Sequence, residues 1–215
     1  MTEAVALVVL VIALALVFDF TNGFHDTANA MATPIATGAL RPRTAVALAA
    51  VLNLVGAFLS TEVARTVSGG LLRGDTEGGA VSASIVFAGL IGAIVWNLTT
   101  WYLGLPSSSS HALFGGLVGA AIVGAGFGAV DYGVLLGKVI LPALLAPFTA
   151  GLVAFLATRA AYAITRRSDR RPDGRRVFKV GQVFSSSLVA LAHGTNDAQK
   201  TMGVITLTLI AAGLQ

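Results

Sequence analysis

Long apolar runs broken by short polar clusters organise this chain. Residues 4–22 form the first run; a polar stretch follows, then apolar residues 30–40. A spanning helix needs about 20 mostly apolar residues, so the whole is too long for one straight span and a break is expected near Gly23. Residues 44–64 and 81–103 read as further spans, separated by a polar loop over 65–79. A Ser-rich segment, Pro106 to His111, opens a Gly-rich apolar run that reaches Val130. Residues 134–164 carry Pro142 and Pro147, and proline in a helix removes a donor and bends it, so a kinked or split span is expected. The last apolar stretch, 177–214, is interrupted by polar residues at 193–201. The pattern is that of an all-α polytopic membrane protein.

Composition agrees. Hydrophobic residues make up 55% of the chain and charged residues 11%, against about 25% charged in soluble domains. Seven of the 14 basic residues fall between Arg166 and Lys179. One concentrated basic loop between apolar runs follows the positive-inside rule and argues against nucleic-acid binding. Residues 165–179 are therefore expected in the cytoplasm, with Arg41 and Arg43 on the same side. The loop with Glu62, Arg65, Arg73, Asp75 and Glu77 has no positive bias and is placed outside. The N-terminus is then also outside, after five crossings before the basic loop, in a multi-pass cell-membrane protein. The first run lacks a basic leader and a small-residue cleavage site, so it reads as a retained helix. Absence of cysteine excludes disulfides, thiolate metal sites and thiol catalysis.

Ionisable residues inside apolar sequence are costly and mark function. At about 100° per residue, Asp19, Asn22, Asp26, Asn29 and Thr33 share an arc of roughly 80°, and such oxygens suit hard cations. The plainer reading is an interfacial loop whose Asp and Asn cap helix ends. Ser107 to Ser110, after Pro106, can cap a helix whose first amides attract anions, or can be a plain cap in a loop. His193, Asn196, Asp197 and Lys200 lie within roughly 100° on a helix. Asp197 and Lys200 are spaced to pair, as they would in a structural ion pair between bundled helices.

The first and third clusters resemble each other. Gly23-Phe-His-Asp26 aligns with Gly194-Thr-Asn-Asp197, and Asn29 with Lys200. Copies separated by an odd number of crossings point in opposite directions. That is the inverted repeat of many secondary transporters, whose sites lie near the midplane where discontinuous helices meet.

On these residues the chain resembles the inorganic phosphate transporter (PiT) family, with its Gly-x-Asn-Asp signature in each half and a Pro-x-Ser-Thr-Thr-His hairpin motif. Gly194, Asn196 and Asp197 match the signature; Gly23 and Asp26 match with His25 at the Asn position. Pro106, Ser108 and His111 match the hairpin, with Ser109 and Ser110 in place of threonines. The resemblance implies an inverted-repeat fold with broken helices and a re-entrant Ser-rich hairpin: a first repeat over 1–164, the basic loop over 165–179, and the start of a second over 180–215. A second hairpin motif is absent, so truncation relative to the family is expected.

It also implies ion-coupled symport of inorganic phosphate, free or as a metal–phosphate complex, by a protein that is not an enzyme and needs no cofactor beyond the coupling ion. Ser108, Ser109, Ser110, Asn196, Asp197 and Lys200 are the expected phosphate ligands. Asn22, Asp26, Asn29 and Asp197 are expected to hold the proton or sodium, with no metal site beyond that sodium. Sulfate or another oxyanion, and a truncated subunit that does not transport, are the alternatives. A hydrolase using Ser110 and His111 is disfavoured because adjacent helical side chains diverge. The lipid bilayer is the expected surrounding; the coupling ion and homo-oligomer formation stay open.

Overall fold

The computed structural model describes residues 2–72, 82–105, 107–165 and 174–214. Expectations resting on the His25 side chain, on Pro106, on Arg73, Asp75 and Glu77, and on the arginines at 166–176 lie outside the described residues.

Helix α1, Thr2–Ala36, runs 35 residues without a break. The break expected near Gly23 does not occur. A helical glycine costs only about 1 kcal/mol, and the polar side chains around it find partners on another helix, so the backbone need not stop. At 1.5 Å per residue α1 is about 52 Å long, well beyond a hydrocarbon core of about 30 Å. It ends at Gly38, whose φ of +64° is the left-handed stop that glycine supplies.

Breaks fall elsewhere. α2, Pro42–Ala57, starts with a proline in its first turn, and α3, Glu62–Gly69, resumes after a 64° bend. The expected straight span over 44–64 is thus a bent pair. α4, Ala83–Tyr102, is capped by Ser82 and stops at Gly104, φ +66°. α5, Ser109–Ala125, runs back against it. α4 and α5 touch backbone to backbone: a Cβ on Gly116 would stand 2.3 Å from the Gly89 carbonyl oxygen. The two helices form a hairpin with the serines at its tip. Its open end is tied by a bridge between Leu72 and Val130 and a 3.0 Å bond from the Asp131 amide to the Leu71 carbonyl.

α6, Tyr132–Thr165, is one apolar run, capped by Asp131. It is neither split nor stopped by its prolines. A π-helical turn at Leu135–Ile140 precedes Pro142, the wider turn accommodating the bend and missing donor that proline imposes. α6 is largely exposed beyond that turn. α7, Gly174–Ala211, spans 38 residues and passes unbroken through the polar residues 193–201. By length and apolar composition three helices can span a membrane, or four with the bent pair, among the described residues. The Gly-rich α5 is shorter.

The core gathers Phe18 of α1, Val67 of α3, Leu90 of α4, Leu113 and Leu117 of α5 and Val204 of α7. A second apolar cluster joins Ala30 and Met31 to Ala45, Ala49 and Ala190. α1 and α7 pair antiparallel in constant register. Thr37 Oγ1 bonds Gln182 Oε1 at 2.7 Å, Asp26 faces His193, and Asp19 faces Thr201. The Lys179 ammonium donates to the Gly38 carbonyl at 3.2 Å, so the Arg41–Arg43 turn and the start of α7 share one end.

Candidate functional site

The hairpin tip enters the α1–α7 crossing. Ser108 is the α5 N-cap, its hydroxyl oxygen accepting from the His111 amide at 3.4 Å. That cap starts the helix so that Ser109 turns inward and is buried. The Ser109 hydroxyl donates to Asp26 Oδ2 at 3.2 Å and accepts from Lys200 Nζ at 3.0 Å. Lys200, 3% exposed, also donates to Asp197 Oδ1 at 2.7 Å. Three helices distant in sequence therefore meet at one serine.

His193 completes the cluster. Its Nε2 stands 3.7 Å from both Asp26 Oδ2 and Asp197 Oδ2, within ion-pair range but beyond a hydrogen bond. One atom from each of Asp26, His193 and Asp197 lies within 4.8 Å of the others. The cluster separates two cavities. The larger, about 940 Å³, holds Ser107–Ser110, Asn196 and Lys200 in its lining, with Lys138 of the π-helical turn opposite. The smaller, about 260 Å³, is bordered by Asp19, Asn22, Thr27, Asn53 and Gly194. Asp26, His193 and Asp197 line both.

Most expected site residues come together. Ser108, Ser109, Ser110, Asn196, Asp197 and Lys200 border the larger cavity, and Asp26 sits at its floor. Asn22 is buried, but against the smaller cavity. Asn29 does not join: it is exposed and borders neither cavity, as does Thr33. From Asn22 onward the buried seam of α1 advances in steps of four, through Asp26, Ala30 and Pro34. Positions three beyond Asp26 then fall on the opposite flank of the seam.

His193 belongs in the site although it stood outside the expected ligand sets. Its place one turn before Asp197, on the polar face, is the sequence signal for it. Glu62 and Lys138 border the larger cavity as well, and only the three-dimensional fold reveals that.

The charges do not balance. Two carboxylates within 4.8 Å repel by about 3–4 kcal/mol at an effective dielectric of 20. Lys200 supplies one ammonium against them. An anion brought to the serines meets donors from Ser109, Ser110 and Lys200, and also the residual negative charge of Asp26 and Asp197. A proton or cation at the carboxylates would remove that penalty.

Comparison with known proteins agrees with this arrangement. Residues 22–214 match the phosphate transporter family. A probable low-affinity inorganic phosphate transporter of Mycobacterium bovis is 57% identical over 208 residues, 96% of this chain and 48% of that one. One of Bacillus subtilis is 46% identical over 97% of this chain and 61% of its own. The chain thus spans about half the length of the mycobacterial relative. A solved structure, the sodium-dependent phosphate transporter, superposes with a TM-score of 0.77 over 97% of this chain and 68% of that one, at 18% identity; the likeness is one of fold. With family residues running from Asn22 past the end of α7 to Leu214, this all-α membrane protein belongs to the phosphate transporter family.

Proposed function

We propose that the chain binds inorganic phosphate at the hairpin tip as part of a cation-coupled phosphate permease. Phosphate oxygens accept from Ser108, Ser109, Ser110 and the first amides of α5, with Asn196 and Lys200 completing the donors. Asp26 and Asp197, with His193 between them, hold the coupling proton or sodium. The observation that carries the reading is Ser109, which touches both Lys200 and Asp26 and so joins the anion's donors to the cation's acceptors. The antiparallel register of α1 and α7, with the two signature copies crossing at Asp26 and His193, supports an inverted repeat. The shared basic end of α1 and α7 supports an extracellular N-terminus and a cytoplasmic basic loop.

The test is uptake of labelled phosphate by this chain in proteoliposomes, under imposed proton and sodium gradients, beside equilibrium phosphate binding in detergent. Uptake driven by one gradient and lost in Asp26→Asn and Asp197→Asn is expected. Uptake intact in both variants would refute the coupling role. Sulfate that displaces phosphate with equal affinity would widen the substrate to oxyanions. A second reading rests on the chain's spanning about half the mycobacterial relative: it binds phosphate and transports only with further membrane segments. Binding without uptake would favour it.

A further inference from the structure

We infer that Lys138 holds inorganic phosphate at an outer position in the larger cavity, before the anion reaches the serines. Lys138 interrupts the apolar run Tyr132–Thr165. An ionisable residue inside such a run is costly and marks an ion or substrate path by default. It sits in the π-helical turn Leu135–Ile140, a distortion frequent at functional sites. Beside it, α6 turns Gly137, Val139, Pro142, Ala143 and Ala146 to the same cavity. That wall is small and apolar except for one ammonium.

The charge of Lys138 is unmatched. Ion pairs among the described residues join Glu62 to Arg65, His193 to Asp26 and Asp197, and Lys200 to Asp197; none takes Lys138. Lys200, the other ammonium in the lining, is buried and committed, with Asp197 at 2.7 Å and Ser109 at 3.0 Å. An anion approaching the serines therefore meets two carboxylates against one ammonium. An anion approaching α6 meets an exposed ammonium with no carboxylate in ion-pair range. A lysine is a compact charge with three rotatable donors, which holds a phosphate oxygen without fixing the anion's orientation. Phosphate can wait there until a proton or cation reaches Asp26 and Asp197. The hand-off to Ser109 rests on the permease reading; occupancy of Lys138 does not.

The chain has three lysines, Lys138, Lys179 and Lys200, of which Lys138 and Lys179 are exposed and Lys200 is buried. The chain in detergent is acylated with a water-soluble N-hydroxysuccinimide ester while inorganic phosphate is titrated against chloride at constant ionic strength. Mass spectrometry reads the rate at each lysine. Phosphate should slow acylation of Lys138 saturably and leave Lys179, at the basic end, unchanged. The protection should persist in Ser109→Ala, which removes a donor of the inner site. In Lys138→Gln, phosphate association followed by stopped flow should slow about tenfold at low ionic strength, the difference fading as salt screens it; Lys138→Arg should keep the wild-type rate. Equal slowing of acylation by chloride, no slowing at all, or protection that disappears in Ser109→Ala would overturn the outer position, as would wild-type association in Lys138→Gln. Lys138 protected, but uptake intact in Asp26→Asn and Asp197→Asn, would sink the permease reading and leave the outer position standing.

Discussion

The two signature glycines make opposite demands, and alanine substitution separates them. A Cβ on Gly194 would stand 2.2 Å from the Asn53 carbonyl oxygen and 2.5 Å from its Cα. Non-bonded carbon contacts settle at about 3.5–4.0 Å, so α2 and α7 would have to part by about 1 Å. The neighbours are backbone and cannot rotate away. Gly56, one turn along the same seam, is equally tight: its Cβ would meet the Leu191 carbonyl oxygen at 2.3 Å. Overpacking of this kind costs about 1–3 kcal/mol, more than the helix propensity that alanine returns. At Gly23 nothing among the described residues lies within 4 Å, and the propensity gain of about 1 kcal/mol stands alone.

The propensity gain is common to both, so the expected contrast between Gly194→Ala and Gly23→Ala is the overpacking cost of about 1–3 kcal/mol, Gly194→Ala being the less stable. On the scale of about 2–4 °C per kcal/mol for chains of this length, the melting temperatures should differ by roughly 2–12 °C. Tryptophan fluorescence during heating in detergent reads this, Trp96 and Trp101 being the reporters. Equal shifts for the two variants, or a Gly194→Ala protein as stable as wild type, would refute close backbone packing as the role of Gly194.

Asp197→Asn should destabilise the chain by about 3–5 kcal/mol, because it takes the ion-pair partner from the buried Lys200 ammonium, and Lys200→Met should cost less, because Asp197 is partly exposed; in the double variant the loss should fall short of the sum by at least about 1 kcal/mol. Chemical denaturation of the four proteins checks it. Ser109→Ala should weaken phosphate binding about tenfold, one charge-assisted bond. Ser108→Ala should chiefly lower stability, by about 0.5–2 kcal/mol, as a lost cap does; calorimetric phosphate titration and melting curves divide the two effects. Gln199 Oε1 accepts from the Val63 amide at 3.2 Å across the α3–α7 contact, where Thr61 supplies no side-chain cap. Gln199→Leu should speed hydrogen exchange at Val63 and at the rest of the first turn of α3.

Much of the site was legible because buried polar residues in apolar sequence must be satisfied, and helical spacing says which can be satisfied together. Asp197, Lys200 and the serines stand where that reasoning put them. Asn29 does not, because an arc drawn on an ideal helix assumes a straight seam, whereas the buried face of α1 drifts as it crosses α7. Continuity through Gly23 was hidden for a related reason. Polar residues were read as a stop for the helix, but α7 supplies the partners that a helix end would otherwise find in solvent. The bend after Ala57 and the π-helical turn before Pro142 depend on neighbours that no local pattern names. Glu62 borders the larger cavity from the helix that follows that bend, and Lys138 from the π-helical turn itself.

The fixed register between α1 and α7 has a mechanical consequence. Polar rungs at Thr37–Gln182 and Asp26–His193, with Asp19 opposite Thr201, tie the two helices at successive heights. Sliding one past the other by a turn, about 5.4 Å, would break every rung at once. The pair therefore behaves as a stiff spar. The α4–α5 hairpin is glued along its own glycine seam, packs its leucines on Phe18 and Val204, and reaches the spar's polar centre through Ser109. Ser109 is thus the polar tie between hairpin and spar, set beside the apolar packing of Leu90, Leu113 and Leu117 on Phe18 and Val204, so a swing of the hairpin would have to break both.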